Sequence, residues 1–313
     1  MKYLIAATDN KYIEWQALVQ IHNFKKYGLD KDLIYLIGYE TKPSESMLKI
    51  AKHTGVRFYF YKDMRNARHY LPSICPHLIY QYLRSDYELI KQSSLRPIND
   101  RFMYLDPDVI FLKKPNFNQF LDNDTWYMSD TSSYLDTNYI NSKGDDILDK
   151  MCEIVGIDKK LVEKNDKNAG GAQIIMKNPT DPRFWKKVEE DSVKLYDYMV
   201  TTAKKGEKYP IQSWTAEMWA ILWNIWLSGN KTKIIKKMEF SWATDHKDRI
   251  DGKTIFHNAG VFDQKHLFNK TKYTNKYPFF DDFSFVDEKY GSHTYVQEIM
   301  EAKKTYPKEL ISG

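Results

Sequence analysis

Apolar and polar positions alternate between two periods along the first hundred residues. Tyr3-Leu-Ile-Ala-Ala7, Leu33-Ile-Tyr-Leu-Ile37 and Val56-Arg-Phe-Tyr-Phe-Tyr61 are short, mostly apolar runs of the kind that form buried strands. Between them, Ile13 to Tyr27 carries Trp15, Leu18, Val19 and His22 toward one side and stops at Gly28. Ser44 to Thr54 ends at Gly55 in the same way, and both segments read as helices. Pro76 to Ser85 predicts another helix, and Phe102 to Leu105 a fourth strand. Alternation of this sort predicts an α/β fold with a parallel sheet, helices on both faces and right-handed crossovers.

The pattern loosens over residues 113–165. Asn116 to Leu121 reads as a short helix or a loop, Thr125 to Met128 as a strand and Asp145 to Val155 as a helix. Ser129 to Lys143 has no period and reads as a loop, either covering a site or lying on the surface. Asn168-Ala-Gly-Gly-Ala-Gln-Ile-Ile-Met176 is a strand opened by two glycines. They permit φ > 0 and close approach of a ligand, or simply a β-bulge. Asp181-Pro182 starts a long helix, with Asp as cap and Pro in its first position, whose stripe is Phe184, Val188, Leu195 and Met199. Ser213 is placed to cap Trp214 to Leu227, which is apolar almost all round and therefore buried. Its narrow polar stripe runs Glu217, Ala220, Asn224, Ser228. Thr254-Ile-Phe-His-Asn-Ala-Gly-Val261 puts His257 at the end of a short strand, with Asn258 and Gly260 following. Beyond about Phe268 no pattern stands out. Tyr273, Tyr277, Phe279 and Phe280 suit either stacking on an acceptor or packing against the sheet, and packing is expected.

Composition narrows the function classes. The chain has 313 residues, 42% hydrophobic and 28% charged, an ordinary globular balance that predicts one compact domain. It reads as one contiguous unit with two halves, residues 1–112 and 113–313. A net charge of +5 permits a polyanionic partner without requiring one, and the lysines between Lys231 and Lys237 read as a solvated face. Two cysteines, Cys75 and Cys152, are too few for a disulfide framework or a zinc site and suit a reducing compartment. No apolar run approaches the roughly 20 residues of a membrane span. The N-terminus enters a strand without a signal-peptide pattern, so a cytoplasmic protein is expected.

Chemistry concentrates at Arg101-Phe-Met-Tyr-Leu-Asp-Pro-Asp-Val-Ile-Phe-Leu112. Asp106 and Asp108 sit at the carboxyl end of a strand, the edge at which open α/β sheets bind ligands. Two carboxylates there can hold a divalent cation and with it a nucleotide diphosphate. The same residues also suit an acidic turn built on Asp-Pro. Asp30–Asp32 and Asp122–Asp124 repeat the spacing without the strand, and read as solvated loop carboxylates. Glu217 adds a carboxylate in the first turn of a buried helix, costly unless paired or used.

Taken together, these residues resemble a nucleotide-sugar glycosyltransferase of the GT-A type. The segments Tyr-Leu-Asp-Pro-Asp-Val-Ile-Phe-Leu-Lys-Lys-Pro115 and Trp214-Thr-Ala-Glu-Met-Trp219 resemble the hydroxyproline O-arabinosyltransferase and peptidyl-serine galactosyltransferase families. The order of elements matches over residues 1–262, tightly over only some twenty. The resemblance implies a UDP-sugar donor and Mn²⁺ or Mg²⁺, with the nucleotide held by residues 1–112 and sugar and acceptor by residues 113–313. It places Thr8 and Asp9 near base and ribose, and Arg65 or Arg68 on base or diphosphate. Asp108 and His257 would hold the metal, and Asp106 would do so through water or hold the ribose. Gly170, Gly171 and Gln173 fall on the donor side, Trp214 and Asn258 on the acceptor side. Glu217 would be the base of an inverting transfer, or orient the sugar in a retaining one. The acceptor is open between a peptide, a glycan and a hydroxymethylated base of phage DNA. A nucleotidyltransferase would carry a glycine-rich loop where this chain has Ala6-Ala-Thr-Asp-Asn-Lys11. A non-catalytic binding protein on the same fold is the third reading.

Overall fold

The computed structural model describes residues 1–93, 101–120, 125–176, 181–203 and 210–312. Asp122–Asp124 lies outside them. β1 (Lys2–Thr8) is buried from Tyr3 to Ala7 and runs into α1 (Lys11–Lys26). The Asn10 side chain accepts from Ile13 N and so satisfies one of the orphan N–H groups of the first turn. Gly28, at φ +69°, turns the chain away where a side chain would be strained. After β2 (Leu33–Tyr39), Ser44 caps α2 (Glu45–Thr54), which leads to β3 (Arg57–Lys62). Next come α3 (Ile74–Ser93), β4 (Phe102–Tyr104), β5 (Val109–Phe111) and β6 (Thr125–Asp130). They are followed by α4 (Ser132–Leu135), α5 (Thr137–Asn141), α6 (Ile147–Val155), α7 (Lys159–Asn165) and β7 (Gly170–Met176). The chain continues through α8 (Pro182–Thr202), α9 (Ala216–Leu227), β8 (Lys231–Ile234), β9 (Phe240–Trp242) and β10 (Ile255–His257). It closes with α10 (Gly291–Thr305) and α11 (Lys308–Ile311).

This is the expected α/β protein, a mostly parallel sheet flanked by helices. Its contacts group it into two units. One comprises Met1–Lys62, Leu105–Gln119 and Lys237–Gly313. Here β1, β2 and β3 pair in parallel, Tyr3 opposite Leu33 and Ile34 opposite Arg57. A second sheet puts β10 between β5, antiparallel, and β9, parallel. Trp15, Phe24, Phe111, Phe256, Phe268 and Tyr295 fill the core. Each large buried side chain is worth about 1.5–3 kcal/mol. The other unit comprises Asp63–Tyr104 and Phe120–Lys236. Its strands run in the order β4-β7-β6-β8, with β7 antiparallel to both neighbours and β6 parallel to β8. Trp185, Trp219 and Trp223 are fully buried there.

Three expectations change. The aperiodic stretch from Ser129 to Lys143 contains α4 and α5. Its Ser, Thr and Asp residues are helix-starting chemistry: Asp136 accepts from Tyr139 N, and Asp130 from Ser132 N. At the start of α9, Ser213 is no cap. A short 3₁₀ turn over Ser213–Thr215 precedes the helix, and Glu217 stays in its first turn. In the C-terminal region, Tyr273, Tyr277 and Phe279 are buried as expected, but Phe280 is half exposed, with Lys303 Nζ 4.7 Å above its ring.

Candidate metal centre and donor site

The turn after β4 is positioned by a buried polar face on α1. Gln16, Gln20 and Asn23 are all buried, spaced to lie on one side of the helix. Gln20 Nε2 donates to the carbonyls of Asp106 (2.9 Å) and Val109 (2.8 Å), and Tyr35 donates its hydroxyl to Gln20 Oε1. Asn23 exchanges two hydrogen bonds with the Phe111 backbone, at 3.0 and 2.8 Å. Leu105 N donates to Leu4 O at 3.1 Å, which holds the turn beside β1. Asp106 and Asp108 therefore project from a turn whose Asp106 and Val109 carbonyls are held by Gln20.

His257, the last residue of β10, lies opposite Val109. Its Nε2 is 3.4 Å from Asp106 Oδ2 and 3.3 Å from Asp108 Oδ1. One ligand atom from each of the three lies within 4.8 Å of the others, a group that can hold a metal ion. The indole of Trp242 stacks on the imidazole at 13° and fixes its plane. The Asp108 and His257 side chains are nearly inaccessible, while that of Asp106 is 42% exposed and faces solvent. The set of two carboxylates and one imidazole suits Mn²⁺ better than Mg²⁺.

Lys270 completes the group, and no motif announced it. Its ammonium pairs with Asp108 Oδ2. Burial alone would raise the Asp108 carboxyl, but Lys270 and His257 more than offset this and hold it well below the usual range. Asp106 is pushed the other way, by desolvation of its inner oxygen against the cluster and by the neighbouring Asp108 charge, with His257 opposing. Burial disfavours the charged forms of His257 and Lys270, yet Asp108 raises both. Asp108 is thus held ionised between Lys270 and His257.

Asn258 supplies a separate sign of a ligand. It is 2% exposed, and its N donates to Asp108 O at 3.1 Å. Its Oδ1 and Nδ2 are both buried without a hydrogen-bond partner among the described residues. An unsatisfied buried amide is expensive and points to a group that binds there.

No protein-family model matches the chain, and none of the curated proteins does. Solved structures with some likeness include the apo form of WbbM, titled a bifunctional glycosyltransferase, at 13% identity and a TM-score of 0.49 over 97% of this chain and 51% of WbbM. The chain thus spans about half of WbbM. The galactosyltransferase LgtC, in complex with donor and acceptor sugar analogues, aligns at 14% identity and a TM-score of 0.46, over 99% of this chain and 98% of LgtC. The glycosyltransferase GlyE of Streptococcus pneumoniae TIGR4 aligns at 9% and 0.44, over 100% of this chain and 65% of GlyE. All lie below a TM-score of 0.5, and the functional reading rests on the residues instead.

The other residues singled out from the sequence are placed as follows. Thr8 and Asp9 are at the carboxyl end of β1. Asp9 already accepts from Ser44 N and Ser44 Oγ, both at 2.6 Å, and Thr8 Oγ1 from Asn10. In the other unit, Arg65 is buried and organises its own loop. It holds both Asp63 oxygens, at 3.0 and 2.9 Å, the carbonyls of Tyr70 and Leu71, and Ser73 Oγ. Exchanging Arg65 for Met will leave buried Asp63 with only its longer ion pair to Arg68, at 3.7 Å, and is expected to cost about 3 kcal/mol, read from urea unfolding. An unchanged midpoint would contradict that role. Arg68 is about half exposed and donates to Asp63 O at 2.8 Å.

Gly170 and Gly171 open β7, but the positive φ falls on Ala172, at 58°. What Gly170 provides is room for β6. A Cβ there would lie 2.7 Å from Met128 Cβ and 2.8 Å from Ser129 O, beside the β-bulge. Because one of those atoms is backbone, Gly170→Ala should destabilise by about 1–3 kcal/mol, seen as a lowered Tm. Gly171→Ala meets the flexible end of Met218 instead and should cost less. A larger loss at Gly171 would refute this division. Gln173 is fully buried and accepts from Ser129 Oγ at 2.6 Å. Trp214 is 57% exposed. Glu217 is buried; Tyr104 donates to its Oε1 at 3.4 Å, and its N donates to Tyr70 Oη at 2.9 Å.

Proposed function

We propose that the chain is a metal-dependent glycosyltransferase that moves a sugar from a UDP-sugar to an acceptor hydroxyl. The observation that carries the reading is the convergence of Asp106, Asp108 and His257 on one point beside the unsatisfied Asn258 amide. In this reading Asp108 and His257 bind Mn²⁺ directly, and exposed Asp106 binds it through water or holds the ribose. When bound, the ion supplies Lewis-acid stabilisation of charge on the leaving diphosphate. Lys270 adds a fixed positive charge at the same place. Asn258, which the sequence suggested for the acceptor side, has an amide free to hold a donor oxygen. Glu217 is assigned the acceptor proton in an inverting transfer.

The nucleotidyltransferase alternative is less well supported. The β1–α1 connection has no glycine, and the side chains of Thr8, Asp9 and Asn10 are hydrogen-bonded to one another or to Ser44.

The test is a panel of UDP-sugars scored for Mn²⁺-dependent UDP release. Release from one sugar is expected, lost on chelation and restored by Mn²⁺. No release and no UDP binding with any of the panel would refute the proposal. Peptide, glycan and hydroxymethylated DNA acceptors then separate by salt, because only a DNA acceptor should lose affinity steeply as salt rises.

A further inference from the structure

Within the unit that holds the metal centre, α1 and α10 form a second cluster that the transfer reaction does not use. His22 projects from α1, and Glu298 and Glu301 from α10. His22 Nε2 is 3.5 Å from Glu298 Oε1 and 3.7 Å from Glu301 Oε2. Thr305 Oγ1 donates to the Glu301 carbonyl at 3.2 Å and lies 3.2 Å from His22 Nδ1. In the tautomer that donates from Nδ1 to Thr305, the Nε2 lone pair faces two carboxylates. Lys26 Nζ takes Oε2 of Glu298 at 2.9 Å and Oε2 of Glu301 at 2.7 Å. Glu298 Oε1 remains, on a side chain only 7% exposed. It and His22 Nε2 are both buried with no hydrogen-bond partner among the described residues.

Two buried electron-pair donors facing each other without a proton between them are costly. A cation removes the cost. Ligand atoms bonded at about 2.0–2.2 Å in a tetrahedron stand roughly 3.3–3.6 Å apart, close to the spacing around His22. A second hydrogen bond on the far ring nitrogen, here to Thr305, is the usual support of a ligating histidine. Burial also lowers the His22 pKa, which favours the neutral form that binds metals.

We infer that His22, Glu298 and Glu301 bind a divalent cation of the zinc class that clamps α10 onto α1. The role is structural. α1 is the helix whose Gln20 and Asn23 hold the Asp106–Phe111 backbone, so the clamp stiffens the frame of the metal centre without touching it. Lys26 stays beside the site and balances part of the carboxylate charge.

The test uses the full chain with Asp108→Asn, to weaken binding at the other centre, after stripping with a chelator. Co²⁺ serves as the spectroscopic probe and Zn²⁺ as the calorimetric one. One equivalent should bind with the intense visible bands of four-coordinate Co²⁺, and Zn²⁺ should raise Tm. Adding Glu301→Gln, at a half-exposed position where folding is not at stake, should weaken binding at least about tenfold. Adding His22→Gln should abolish the bands. Absence of bands and of any Tm shift in the starting chain would overturn the inference, as would affinity indifferent to Glu301→Gln. The cluster would then be an ion-pair network only.

Discussion

Asp108→Asn will lower Mn²⁺-dependent UDP release by roughly a thousandfold. In the proposed reaction a bound metal would contribute several kcal/mol of charge stabilisation to the leaving diphosphate, and about 4 kcal/mol corresponds to that factor. Asparagine keeps the size of the side chain and an oxygen to accept from Lys270, so the fold should survive. The loss should therefore appear as a weakened Mn²⁺ dependence together with a lower kcat, while Tm falls by only a few degrees. Asp108 bears the larger effect of the two aspartates because its side chain is only 3% exposed and meets both His257 and Lys270. Asp106, open to solvent, should give a milder defect when changed to Asn. Wild-type turnover by Asp108→Asn would remove the metal from the mechanism and return the Asp-Pro-Asp segment to an acidic turn.

Glu217→Gln should lower kcat by about a hundred- to ten-thousandfold, with Mn²⁺ affinity and Tm nearly unchanged. The residue sits in the first turn of α9, a helix otherwise buried and apolar, where a carboxylate has to be used or paired. Glutamine fills the same volume and can still accept from Tyr104, whose contact at 3.4 Å is long. It cannot take a proton. A merely structural glutamate would show the reverse result: glutamine would change the urea midpoint and leave kcat alone. Assaying donor hydrolysis beside transfer sharpens the comparison, because loss of a base should fall more heavily on transfer to the acceptor.

Some of the local architecture was legible because local rules govern it. Asn10, Ser44 and Asp181 begin helices where short polar side chains reach the first N–H groups, and Gly28 and Gly55 end them where φ must be positive. The strand periods located β1 to β3 within a residue or two. The aperiodic run at 129–143 misled because capping residues hide helices of four and five residues, too short to show a period. The glycine pair shows a different limit. Glycine at 170 answers to a neighbouring strand, and no rule read along one chain segment reports what lies 2.7 Å from an absent Cβ.

By itself the sequence determined the alternation of strands and helices, the strand context that set Asp106–Asp108 apart from Asp30–Asp32, and His257 at a strand end. These follow from periodicity and from side chains acting on their own backbone. Only the tertiary structure decided which distant groups meet. It brought His257 to the two aspartates through the pairing of β10 with β5, added Lys270, and spent Arg65 on its own loop. It also set Gln20 and Asn23 under the turn and faced His22 toward Glu298. Such contacts depend on packing between segments up to hundreds of residues apart, and the lowered Asp108 carboxyl exists only once those segments bring Lys270 and His257 to it.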